Sequence, residues 1–264
     1  DGHSVDGTIE AARSTLPDIK ILQQTRRGKG NALACGFTAA SGDVIVMLDA
    51  DGSMSPAEIP LFVEALVAGA DFVKGSRYRV GPRIVGSSED LTRLRRLGNT
   101  SLNRMANVLF STTFTDLCYG YMAFWRRFLP VLDLPSIEPT ALGTRNGMRW
   151  GDGFEIETML VCRAASHGLR MVEVPSVERR RYWGESNLRT VADGTRVLRT
   201  IAAERLASTG RPFVRSRRSP GVAPHGSMSA GISLPWVTPP VCAPVAQPDG
   251  APRVIANPTR EVTS

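Results

Sequence analysis

Lysine is nearly absent from this chain. Of 32 basic residues only Lys20, Lys29 and Lys74 are lysine, and the rest are arginine. Arginine suits planar, two-toothed contacts with phosphate, and the same bias also arises from genomic composition. Cysteine is sparse, at 35, 118, 162 and 242. No two are spaced as a zinc knuckle or a redox pair, so buried free thiols in a reducing compartment are expected. The three histidines, His3, His167 and His225, have no sequence partners that suggest a metal site. No run of 18 apolar residues occurs, so no membrane-spanning helix is expected. Basic residues do not alternate with aromatics in a stripe, which argues against nucleic-acid readout.

What is present is ordinary for a globular protein: 264 residues, 42% hydrophobic, 22% charged and a formal net charge of +7. The periodicity predicts a helix over 8–15 stopped at Pro17, a strand over 19–23 and a polar, glycine-broken loop over 25–31. A helix over 31–40 follows, then a strand over 44–48 that is apolar throughout and thus covered on both faces. Next come a helix over 54–69, with Ser55 as N-cap and Pro56 at its first position, and a strand over 71–77. Helices are predicted over 91–111, 152–168 and 186–205, with an aromatic strand within 112–132 and an edge strand within 169–181. Strand and helix alternate at first, so the fold class is an α/β layered sheet. After residue 206 proline, glycine, serine and alanine dominate and periodicity is lost. Residues 1–206 are therefore read as the folded domain, and 207–264 as a disordered tail dispensable for the fold.

The segment Met47-Leu48-Asp49-Ala50-Asp51-Gly52-Ser53 places two carboxylates at a strand end. Open α/β sheets bind ligands there. The pair reads either as an Asp–Gly turn or as hard oxygen ligands for Mg²⁺ or Mn²⁺ over a phosphate. Three neighbouring features are polar in a way that suits one phosphorylated ligand: Asp6 in a glycine-flanked turn, Lys29 between Gly28 and Gly30, and Arg77 after Gly75-Ser76. The GxxxxGK[ST] spacing of a phosphate-binding P-loop is absent.

Several of these segments, in order, resemble the inverting family 2 glycosyltransferases of the GT-A fold, the group that includes the dolichol- and polyprenyl-phosphate sugar synthases. The segments are Asp1-Gly2-His3-Ser4-Val5-Asp6-Gly7-Thr8, Gly28-Lys29-Gly30-Asn31-Ala32, Asp49-Ala50-Asp51, Gly75-Ser76-Arg77, Thr115-Asp116-Leu117-Cys118-Tyr119-Gly120-Tyr121 and Asp152-Gly153-Phe154-Glu155-Ile156-Glu157. With the 182–187 loop and the last helix, the resemblance covers residues 1 to about 205. The resemblance implies a Rossmann-like mixed sheet flanked by helices, of the nucleotide-diphospho-sugar transferase type. It also implies that the first strand, which precedes the segment matched by Asp1, is missing here, so that this stretch alone is expected to fold poorly and turn over slowly.

The roles implied by the resemblance are these. Asp49 and Asp51 hold Mg²⁺ or Mn²⁺, with Ser53 a neutral third ligand. Asp1 and Asp6 lie near the base and ribose of a UDP- or GDP-hexose donor, with Lys29 and Asp49 on the same side. Arg77 faces the metal centre or an acceptor phosphate, one of Arg95 and Arg96 adds a second phosphate contact, and Asn99 stands four residues after Arg95. Asp116 is either the base that takes a proton from an acceptor hydroxyl or, for an ionised lipid phosphate, an orienting group. One of Glu155 and Glu157 belongs to the acceptor site, and the 182–187 loop helps to close the donor site. The expected activity is metal-dependent, inverting transfer of a hexose from a nucleotide sugar to polyprenyl phosphate or, alternatively, to a saccharide or small metabolite. The expected location is cytoplasmic, peripheral at the inner face of the membrane through the basic last helix. The competing readings are a nucleotidyltransferase with a similar sheet order, an inactive remnant, and a module binding anionic lipid.

Overall fold

The computed structural model of the protein describes residues 1–89, 93–138, 148–182 and 190–208. All of them belong to one unit, Asp1–Gly221. Seven helices are described: α1 (Thr8–Thr15), α2 (Lys29–Ala39), α3 (Ile59–Val67), α4 (Arg93–Phe110), α5 (Leu129–Leu132), α6 (Glu155–Ser166) and α7 (Thr190–Ser208). The strands are β1 (Val44–Met47), β2 (Phe72–Ser76), β3 (Ser87–Ser88), β4 (Met122–Trp125), β5 (Met171–Pro175) and β6 (Val177–Glu178).

The main sheet has the order β1-β4-β2-β5. β4 is antiparallel to both β1 and β2, while β2 and β5 are parallel. β5 is an edge, as the sequence predicts. A small second sheet pairs β3 with β6. The apolar run at β1 buries both faces, because successive side chains of a strand point to opposite sides. Ile45 and Met47 join Phe72, Met122 and Phe124 in one core, with Phe37, Ala106, Ile156, Leu160 and Ile201 from the helices. Val44 and Val46 pack instead on a second core of Phe62, Leu66, Val73, Tyr121 and Ala123. Phe72 stacks on Phe124 with ring centroids 5.5 Å apart, and Phe62 stacks on Tyr121 at 4.3 Å. Such pairs contribute about 0.5–1.5 kcal/mol each beyond their buried area.

Four expectations need correction. The strand over 19–23 does not form, because no strand among the described residues pairs with it: the Ile19 N–H donates to the nearby Leu16 carbonyl, the Asp1 amine donates to the Leu22 carbonyl, and the Gln24 N–H donates to the Asp1 carbonyl. Such scattered bonds do not make a ladder. The helix placed over 31–40 starts two residues earlier, so Lys29 lies in its first turn. The helix over 54–69 opens as a 3₁₀ turn, Pro56–Glu58, without a side-chain cap from Ser55. Glu58 is drawn away to Ser176 and the Val177 N–H. Finally, the last helix, placed over 186–205, runs on to Ser208. The expected tail beyond it, and most of the 182–187 loop, lie outside the described residues.

The topology fixes where a site can form. β1 and β2 run the same way, and β4 runs between them in the opposite sense. The start of β4 therefore meets the ends of both: Met122 pairs with Met47 on one side and Lys74 on the other. The turns after β1, β2 and β5 and the 115–121 segment before β4 all converge on this one edge.

Candidate active site

The first half of the site grows from β1. Asp49 and Asp51 follow the strand directly, with side chains 29% and 21% exposed. Gly52, at φ +78°, turns the chain. Asp51 accepts the Ser53 N–H at 3.0 Å and lies 3.4 Å from the Arg181 guanidinium. Partial burial raises the Asp51 carboxyl, but the Ser53 hydrogen bonds, Arg181 and Lys29 outweigh it and hold the group below its usual range. Lys29 reaches across from the first turn of α2. Its Nζ is 2.7 Å from Asp49 and 2.5 Å from Glu157 of α6. Burial opposes that charge, yet the two carboxylates hold the ammonium well above its ordinary pKa.

Two glycines make this reach possible. The N–H of Gly30 donates to the Asp152 carbonyl at 2.7 Å. A Cβ on Gly30 would lie 1.8 Å from the Gly151 carbonyl oxygen, and one on Gly28, already at φ +117°, 2.1 Å from that of Asp152. The Gly-Lys-Gly motif thus seats α2 against the 151–153 turn, and the lysine between the glycines faces inward. Arg26 secures the same turn: it clasps Asp152 at 2.8 and 2.7 Å, with both side chains almost fully buried. Gly30→Ala is expected to destabilise the fold by about 1–3 kcal/mol, because backbone cannot yield as a flexible side chain does. Chemical denaturation measures the loss, and an unchanged midpoint would mean that the turn moves freely.

The second half joins β2 to the 115–121 segment. Asp116 has no exposed surface. Its Oδ2 accepts the Arg77 backbone N–H at 3.0 Å and Nε at 2.7 Å; its Oδ1 accepts Arg77 Nη2 at 2.8 Å and Asn99 Nδ2 at 2.9 Å. A carboxylate has about four lone-pair sites, and all are occupied. Burial raises the Asp116 carboxyl, but Arg77 and Lys74 outweigh it and hold the group below the usual range. Arg77 also donates Nη1 to Glu178 at 2.9 Å and lies 4.9 Å from the Tyr119 ring centroid. Three of its five side-chain N–H groups are thus engaged and two remain.

Beneath this pair sits Lys74, the lone charge in β2 and also without exposed surface. It donates to the Tyr119 carbonyl. Burial lowers its pKa, opposed by Asp116, Glu173 and Glu157. Glu173 of β5 accepts the Thr115 and Asp116 N–H groups at 2.9 and 3.1 Å, fixing the turn that carries Asp116.

The edge therefore gathers Asp49, Asp51, Ser53, Lys29, Arg77 and Asp116. Ser53 is buried, and its N–H serves Asp51. Asp1 and Asp6 are used locally: Asp1 accepts from His3 and Ser4, and Asp6 from Thr8. Arg95 opens α4, with its side chain outside the described residues, while Asn99 one turn on meets Asp116. Glu157 is tied to Lys29, whereas Glu155 accepts the N–H groups of Gly151 and Gly153. Sequence reasoning missed Lys74, Glu173 and Glu178. A lysine inside an otherwise apolar strand is a signal for the first; nothing local marks the two glutamates. Among the described residues no group of three or more His, Cys, Asp or Glu side chains could hold a metal ion. Two carboxylates still fit Mg²⁺ or Mn²⁺, since such ions bind one or two carboxylates plus substrate phosphates.

Residues 1–130 match the family model described as Glycosyl transferase family 2. The undecaprenyl-phosphate mannosyltransferase of Micrococcus luteus is 31% identical over 195 residues, covering 71% of this chain and 73% of that protein. The chain belongs to glycosyl transferase family 2. Glycosyltransferase AglJ of Haloferax volcanii is 29% identical over 218 residues, 81% of this chain but 63% of that one, so the chain spans less than two thirds of that relative. Among solved structures, glucosyl-3-phosphoglycerate synthase from Mycobacterium tuberculosis in complex with uridine diphosphate superposes with a TM-score of 0.51 at 20% identity, over 78% of this chain and 67% of that one. That likeness speaks for the fold: a mixed, Rossmann-like α/β sheet flanked by helices, the GT-A arrangement without a strand before β1 among the described residues.

Proposed function

We propose that this family 2 transferase moves a hexose from a nucleotide-sugar donor to polyprenyl phosphate, with inversion at the anomeric carbon. The observation that carries the acceptor class is the state of Asp116. A base for an acceptor hydroxyl must be within hydrogen-bond reach and have a lone pair to offer. Asp116 is fully buried, with four donors on its two oxygens. A phosphate acceptor arrives ionised and needs no such base. The same geometry suits Asp116 to a different task. It holds the Arg77 guanidinium in one plane, with two N–H groups left for phosphate oxygens. The relative from Micrococcus luteus, whose name specifies undecaprenyl phosphate, supports the same acceptor.

On the donor side, Asp49 and Asp51 would hold Mg²⁺ or Mn²⁺, and Ser53 orients Asp51 through its N–H. A divalent ion bound there supplies positive charge to the departing nucleoside diphosphate. Lys29 adds a second positive charge at the same edge. No helix among the described residues is long and apolar enough to cross a membrane. Our reading is of a peripheral protein at the cytoplasmic face, held there by α7 with Arg196, Arg199 and Arg205. The test offers a radiolabelled nucleotide-sugar pool with either a membrane lipid extract or a panel of soluble saccharides and metabolites. Label in an organic-extractable product released by mild acid is expected. Label confined to water-soluble product would overturn the lipid-phosphate reading in favour of a hydroxyl acceptor.

A further inference from the structure

One ion pair at the donor side joins three separate elements. Lys29 comes from α2, Asp49 from the end of β1 and Glu157 from the first turn of α6. The Lys29 side chain is 22% exposed and Glu157 11%. The Glu157 carboxylate stands close against the backbone of the 115–121 segment: a Cβ on Gly120 would lie 2.5 Å from its Oε1, so the glycine leaves room for it there. The backbone on either side of Lys29 is seated by the close approach of Gly28 and Gly30 to residues 151–152. The Lys29 ammonium meets the Phe154 ring at 5.8 Å. The ammonium is therefore held between two carboxylates that come from different elements, Asp49 and Glu157.

A divalent cation bound by Asp49 would share that carboxylate with the ammonium. Like charges within about 4–6 Å disfavour one another, so metal and lysine compete for one ligand. We infer that Lys29, steadied by Glu157, is a resident counter-ion of Asp49 that divalent metal must displace, and that Glu157 is a positioning residue that sets metal affinity by giving the displaced ammonium a place to stay. The inference rests on the metal-dependent reading above. It extends that reading, since it makes the Asp49 seat adjustable from α6, a helix that contributes no metal ligand.

The two residues then act with opposite sign. Without Lys29 the competitor is gone, and two neighbouring carboxylates are left seeking a cation. Without the Glu157 charge the ammonium has Asp49 alone and leaves it less readily. The experiment titrates Mn²⁺ alone into the protein and follows free Mn²⁺ by its electron paramagnetic resonance signal, with no sugar nucleotide and no turnover. Lys29→Met is expected to bind Mn²⁺ about tenfold tighter than the parent, and Glu157→Gln roughly threefold weaker. Thermal melts accompany both, and Lys29→Gln, which keeps the side chain polar, repeats the first arm if Lys29→Met melts early. Tighter binding with Lys29 replaced and weaker binding with Glu157 replaced supports the inference. Equal affinity in parent and variants overturns it while leaving the metal site in place. No Mn²⁺ binding by the parent or any variant overturns the metal reading and this inference together.

Discussion

Asp51→Ala is expected to reduce sugar transfer by roughly 10³-fold or more. A metal ion at the leaving diphosphate contributes several kcal/mol of transition-state stabilisation, at about 1.4 kcal/mol for each tenfold in rate. The fold should survive. Asp51 is partly exposed and its local partners are the Ser53 N–H and Arg181. Losing one such hydrogen bond costs about 1 kcal/mol. The loss is therefore expected in function rather than in melting temperature. Calorimetric titration of nucleoside diphosphate, with and without Mn²⁺, separates the causes. The parent should bind more tightly with Mn²⁺, and the variant should show no such gain. If Mn²⁺ strengthens binding equally in both, the carboxylate pair is a turn and not a metal seat.

Arg77→Met is expected to have the largest effect on stability, about 3–5 kcal/mol, because it removes the guanidinium paired with the fully buried Asp116 charge and leaves that charge with Asn99, the residue 77 backbone N–H and the nearby Lys74. Arg77→Lys should rescue little, since an ammonium cannot reproduce the two-toothed contact through Nε and Nη2. The same pair predicts an acid response. The folded-state pKa of Asp116 is depressed, with the penalty of burial outweighed by Arg77. Its contribution is present above the unfolded value of about 3.9 and is lost as pH falls through the folded value. In Arg77→Met that depression shrinks, and the acid-unfolding midpoint should move to higher pH. Urea melts at neutral pH and an acid titration followed by circular dichroism measure both effects. A variant as stable as the parent in each would mean that Asp116 is not charged or not buried as described.

How far the sequence could be read follows from the range of each interaction. β1 was legible because an unbroken apolar run between turn residues has few alternatives, and the sheet buries both faces. The 19–23 strand misled because its alternation is local, whereas a strand exists only with a paired neighbour. Asp49, Asp51 and Arg77 were legible as polar residues at strand ends, and Asp116 through the resemblance of its segment. Their partnership was not. Asp116 and Arg77 are 39 residues apart, and Arg77 and Glu178 are 101 apart. No periodicity links residues across such distances. The four donors on Asp116, which favour the orienting role proposed above, could not be read from the sequence for the same reason. Asp1 and Asp6 illustrate the reverse. They stand in the motif, yet each carboxylate closes its own turn.

In the proposed function the Arg77–Asp116 clasp serves an acceptor that is already an anion. The most direct measurement compares two acceptors of one chain length, a polyprenyl phosphate and the polyprenol lacking the phosphate, with the same labelled nucleotide sugar. Transfer to the phosphate and none above background to the alcohol is the predicted result. Transfer to the alcohol at a comparable rate would require a base to take its proton, and would contradict the account.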